Sequence, residues 1–171
     1  MTMEHISRSF AVSLQVVHPE IEPDSITAAL RLSPKIKHRN GDQKLRLDGT
    51  KMDGVYSRTY WSHSLDLCGV VDLVPFLEAL LPRLEVHRDF FATISASGGN
   101  SELFCGIFLD TNWDEVIPHQ LMSRLAALKI DLRLDAYLKL QEGRTPPLQT
   151  PASGTPSAGA PVAQPSGAAG R

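Results

Sequence analysis

Cysteine is scarce in this chain. Cys68 and Cys105 are the two, and they form no CxxC pair. One disulfide is allowed by number, but Cys105 falls on the apolar side of a patterned segment. Buried free thiols in a reducing cytoplasm are therefore the expectation. Long apolar runs are missing too. No stretch approaches the ~20 residues of a membrane span, and residues 1–10 place Glu4, His5 and Arg8 before any apolar run, unlike a signal peptide. A cytoplasmic location without a membrane partner is expected. Charge excess is equally absent. The formal net charge is −2, with 15 Lys and Arg against 18 Asp and Glu within residues 1–140. An acidic domain lacks the basic surface that neutralises phosphates, which argues against nucleic-acid binding.

The chemistry-bearing motifs are absent as well. Gly98-Gly99 lacks the lysine and the following helix of a phosphate-binding loop. Asp48–Gly54 (DGTKMDG) has Thr50 and Met52 where a calcium loop needs further oxygen ligands, and no bidentate Glu follows. The six histidines, His5, His18, His38, His63, His87 and His119, show no HxxxH or HExxH spacing. No GxSxG elbow occurs. Asp131 and Asp135 share a strand face, but four residues at ~3.3 Å each separate them by roughly 13 Å, too far for a paired-carboxylate glycosidase. Arg133 between them reads as part of an ion-pair row. These absences lean against an enzyme, and neither a cofactor nor a metal is expected.

What is present is pattern. Ser9–Val17 alternates, with Phe10, Val12, Leu14 and Val16 on one side, and reads as a strand. Pro23 and Asp24 open a helix to Leu30, since proline and an acidic residue suit the first turn. Lys35–Arg39 reads as a short strand, Asn40–Gly54 as a polar loop, and Val55–Leu65 as a longer strand. Asp72 is placed to cap a helix with Leu73, Phe76, Leu77, Leu80, Leu81 and Leu84 on one stripe, which Pro82 should end or kink. In Phe90–Leu109 the alternation of Phe90, Ala92, Ile94 and Ala96, then of Leu103, Cys105, Ile107 and Leu109, flanks Ser97-Gly98-Gly99-Asn100. That pattern predicts a β-hairpin. Pro118 should open a helix with Leu121, Met122, Leu125 and Leu128 inward. Ile130–Leu140 reads as a strand with Ile130, Leu132, Leu134, Ala136, Leu138 and Leu140 inward.

The order is β-α-β-β-α-β, then β-α-β. The fold class expected is α+β: a ferredoxin-like core extended by a further βαβ, with helices on one face of a mostly antiparallel sheet. Residues 8–140 would form that single domain, behind a flexible N-terminus of residues 1–7. The Pro/Ala/Gly/Ser-rich segment 141–171 has little to bury and should be disordered.

The chain resembles a bacterial family known as domain of unknown function 4279. The resemblance rests on Pro23-Asp24-Ser25-Ile26-Thr27, Asn40-Gly41-Asp42, Trp61, the Leu77-Leu80-Leu81 helix and the closing Leu128–Tyr137 segment. It covers about residues 8–140, and Lys129 stands where members often carry glycine. The resemblance implies a small cytoplasmic α+β domain and transfers no catalytic residue.

If the apolar sides face inward, Tyr56, Arg58, Tyr60, Phe91, Thr93, Phe104, Phe108, Arg133 and Tyr137 face outward together. Aromatics and arginine dominate interface hot spots. Tyr56, Arg58, Tyr60, Phe104, Arg133 and Tyr137 are thus the candidate binding residues, for a protein partner or for self-association. The expected role is a non-catalytic interaction domain, of the kind that neutralises a partner protein as small bacterial immunity proteins do. The alternative is an enzyme or small-ligand binder using the polar loop around residues 39–58.

Overall fold

A computed structural model describes residues 9–46, 48–66, 72–109 and 113–138. The expected N-terminal arm, the 141–171 tail and Cys68 lie outside them. Eleven elements follow in order among the described residues: β1 (Ser9–His18), α1 (Pro23–Leu30), β2 (Ile36–His38), β3 (Gln43–Leu45), β4 (Lys51–Val55), β5 (Thr59–Leu65), α2 (Leu73–Glu85), α3 (Arg88–Ala96), β6 (Asn100–Leu109), α4 (His119–Ala127) and β7 (Ile130–Leu138).

Five strands make one sheet in the order β2-β5-β1-β6-β7. Neighbours run antiparallel except β6 and β7, which are parallel across α4. The first four strands interleave two split β-α-β units, β1-α1-β2 around β5 and β5-α2-α3-β6 around β1. The protein is therefore an α+β domain built on a mostly antiparallel sheet.

Alternation sets the two faces of that sheet. Cross-strand partners share a face, so Val12 lies beside Leu65 and Cys105, Leu14 beside His63 and Leu103, and Val16 beside Trp61 and Ser101. On this side the sheet meets Ile26 and Leu30 of α1, the leucine stripe of α2, Phe91 and Ile94 of α3, and Leu121 and Leu125 of α4 in one core. Each such side chain contributes about 1.5–3 kcal/mol when fully buried. No described helix covers the opposite face.

Several expectations need correction. Phe90–Ala96 is α3, not the first arm of a hairpin. Apolar residues at 90, 91 and 94 satisfy a helical period as well as a strand period, and the helix buries Phe91 and Ile94 together. Gly98, with φ of 84°, closes α3, and the Gly99 amide bonds back to the Ile94 carbonyl at 2.9 Å. The glycine pair is a helix C-terminus. Phe91 and Thr93 thus leave the outward set, and β6 alone serves as fourth core strand and as first strand of the parallel pair.

The Asn40–Gly54 loop is instead an arm of two short antiparallel strands, β3 and β4. The Tyr56 amide bonds to the Asp42 carbonyl at 2.9 Å, and the Gly41 amide to the Tyr56 carbonyl at 2.7 Å. The arm thereby prolongs the β2–β5 ladder. The expected Val55–Leu65 strand is divided, Val55 closing β4 and Thr59 opening β5.

Pro82 stays inside α2, three residues before its end. Its side faces solvent, so the carbonyl it leaves without a helical partner reaches water. Asp72 occupies the N-cap position without a side-chain capping bond. Inwardness, finally, is overstated at the edge. Met122 of α4 faces away from the buried side of its helix, and Leu134 and Leu138 are exposed because the helix layer covers only the start of β7, where Ile130 is buried.

The end of β1 is tied to α3 by His18. Its Nδ1 accepts the amides of Glu20 at 3.0 Å and Ile21 at 2.8 Å, while Nε2 faces Ser97 Oγ at 2.9 Å. Two amides aimed at Nδ1 require that nitrogen to be unprotonated, so the ring is neutral and Nε2–H donates to Ser97. Burial is the main cause that lowers the His18 pKa, reinforced by Arg58 and opposed by Glu20.

Candidate interaction face

The uncovered face carries His38 and Tyr60 on β2 and β5, Ser13 and Gln15 on β1, Glu102, Phe104, Gly106 and Phe108 on β6, and Asp131, Arg133, Asp135 and Tyr137 on β7. Register brings its aromatics into two patches.

At one corner His38 stacks on Tyr56 with ring centroids 3.5 Å apart, and on Tyr60 at 5.4 Å. These three rings line a cavity of about 290 Å³ together with Val17, Lys44, Ser57, Arg58 and Thr59. Two cations and four hydroxyls line it without a carboxylate. Burial lowers the His38 pKa, against the opposing pull of Asp42. A neutral imidazole stacks on tyrosine without placing a charge at the cavity wall.

At the diagonally opposite corner Phe108 and Tyr137 stack at 5.4 Å. Gly106 lies between the strands' aromatics. A Cβ there would sit 3.6 Å from the Phe104 ring and 3.7 Å from the Tyr137 ring. Both are ordinary contact distances, so the two rings flank this position without requiring glycine. Further along the same two strands Arg133 Nη2 meets Glu102 Oε2 at 3.1 Å, which pairs an almost fully buried carboxylate on the open face. The Tyr137 hydroxyl donates to Asp135, and that bond is the main cause raising the phenol's pKa.

Of the six residues chosen from sequence, Tyr60, Phe104, Arg133 and Tyr137 lie on this face, and Tyr56 joins it through His38. Arg58 is exposed at the cavity and approaches the Gly98 carbonyl at 3.4 Å. They do not form one cluster. Tyr60 and Tyr137 stand eight residues apart along the strands and three strands across, about 30 Å on sheet spacings. Sequence reasoning missed His38, Lys44, Glu102 and Gly106. Three-residue β2 offered no period to place His38.

A family model, Domain of unknown function (DUF4279), matches residues 7–139. The chain belongs to this family. No curated protein and no solved structure gives a significant match. Among the described residues of this DUF4279 member, no group of three or more His, Cys, Asp and Glu could hold a metal ion. No described helix is long and apolar enough to cross a membrane. Cys105 is buried, and burial pushes its thiol up to about 12, so it stays protonated and inert at neutral pH.

Proposed function

We propose that this DUF4279 domain is a non-catalytic protein-interaction module of the bacterial cytoplasm, which binds and neutralises a partner protein through its uncovered sheet face. The supporting observation is that face itself: two ring stacks at opposite corners, with Arg58 lining the cavity at one and Arg133 on the strand that carries the other, on a sheet whose other side packs against the helices from β5 to the start of β7. A span of about 30 Å between the stacks suits the ~800 Å² that each partner contributes to a standard interface. Rings already held by stacking lose little freedom on binding, and rigid aromatics serve as hot spots for that reason. The test uses a partner captured by the full chain and then purified. Tyr60→Ala combined with Tyr137→Ala should weaken its binding about 30-fold or more in titration calorimetry, with the circular dichroism spectrum unchanged. Wild-type affinity in that folded double variant would refute the reading.

A second reading is favoured by the cavity alone. Lys44 and Arg58 with the hydroxyls of Tyr56, Ser57, Thr59 and Tyr60 suit a small anion. Chemical-shift changes in these residues on adding a carboxylate or phosphate library, lost in Arg58→Ala, would support it.

A further inference from the structure

β7 ends the sheet, and among the described residues nothing pairs with its outer edge. We propose that this edge pairs with β7 of a second copy, antiparallel and centred on Leu134, so that two chains form a dimer with one continuous sheet. The strand reads Ile130-Asp131-Leu132-Arg133-Leu134-Asp135-Ala136-Tyr137-Leu138. Around a twofold axis at Leu134 it is complementary to itself. Arg133 falls opposite Asp135 twice, Asp131 opposite Tyr137 twice, Leu132 opposite Ala136, Ile130 opposite Leu138, and Leu134 opposite its own counterpart.

Other registers lose this match. Shifts that pair odd with even positions bring apolar residues against charged ones, because neighbouring residues point to opposite faces. Centring on Arg133 sets arginine against arginine and Asp131 against Asp135. Centring on Asp135 sets aspartate against aspartate. Centring on Leu132 keeps Arg133 against Asp131 but joins only Ile130–Leu134 of the described strand. The Leu134 register alone uses all nine residues with opposite charges facing. Charges on an edge strand normally deter pairing with strange strands, and here the same charges admit one partner, the chain itself. The exposed leucines fit as well. Leu134 is 39% and Leu138 69% exposed, a large area for such side chains, and pairing covers both. Arg133 keeps further N–H groups beyond its contact with Glu102, and Asp135 has free lone pairs beyond its bond to Tyr137.

The test is made on the full chain. Sedimentation velocity from about 1 to 300 µM should show monomer passing to dimer, as an interface near the lower size limit requires. Asp135→Lys should raise the dissociation constant at least about tenfold, since each substitution acts at two symmetric contacts. Leu134→Cys should cross-link two chains under oxidised glutathione, because directly opposed Cα atoms stand about 4.5–5.5 Å apart, within disulfide reach. Ala136→Cys should not, its two copies being about 13 Å apart. Monomer at every concentration, a dimer indifferent to Asp135→Lys, or cross-linking of Ala136→Cys as readily as of Leu134→Cys would each overturn the proposal.

Discussion

The indole Nε1–H of Trp61 donates to the hydroxyl of Thr27 at 3.0 Å, joining β5 to α1 beneath the sheet. Trp61 is fully buried, and Thr27 in turn donates to the Pro23 carbonyl at 3.2 Å. One hydroxyl therefore serves the largest core side chain and the first turn of its helix.

Thr27→Val keeps the shape and removes the acceptor, which leaves a buried N–H without a partner. The loss should be about 1–3 kcal/mol in urea denaturation, whereas Thr27→Ser should stay near wild type. Equal stability of Thr27→Val and wild type would mean that the indole finds another acceptor.

His18 predicts a pH dependence. Its pKa is lowered in the folded state, so on acidification the unfolded chain takes up a proton that the folded one resists. The contribution is complete above the ordinary value of about 6.5 and fades as pH falls through the lower folded value. Burial acts in the same direction on His38. Stability should therefore decline as pH falls from 7.5 toward 5, measured by urea midpoints at each pH. In His18→Asn, whose side-chain oxygen can accept the Glu20 and Ile21 amides, the decline should be shallower.

Leu80 and Leu134 separate core from edge. Leu80 is 1% exposed, and Leu80→Asp buries an unpaired charge. It should abolish cooperative melting. Leu134→Asp should fold, with a loss below about 1–2 kcal/mol, because within a single chain its position is open to water. Loss of folding in the second variant would show that Leu134 is covered within a single chain.

The contrast between these two leucines marks what could be read from sequence. β1, α1 and the leucine stripe of α2 were legible, since each buries one face completely and the period records it. β7 has an equally clean period, yet alternation reports which residues share a side, not whether anything covers that side. Phe90–Ala96 failed for a different reason. It is short enough for two periods to fit, and the glycine pair behind it serves a helix end as well as a turn. The β3–β4 arm buries little on either face, so no apolar pattern announced it. The candidate face was legible by residue type, because Tyr60, Phe104 and Tyr137 do point away from the core. Its division into two corners depends on register across four strands, which no single segment encodes.

The position of β1 at the centre of the sheet has a consequence for biosynthesis. Val12 pairs with Leu65 on one side and with Cys105 on the other. At roughly 5–20 residues per second, the ribosome completes the second partner about 5–20 s after the first strand has been made. Through that interval Val12, Leu14 and Val16 lack the strand that completes their surroundings, even after β5 has been translated. Half-made chains should therefore be the species that chaperones hold and that aggregation removes, a hazard that lasts at least until β6 has been translated.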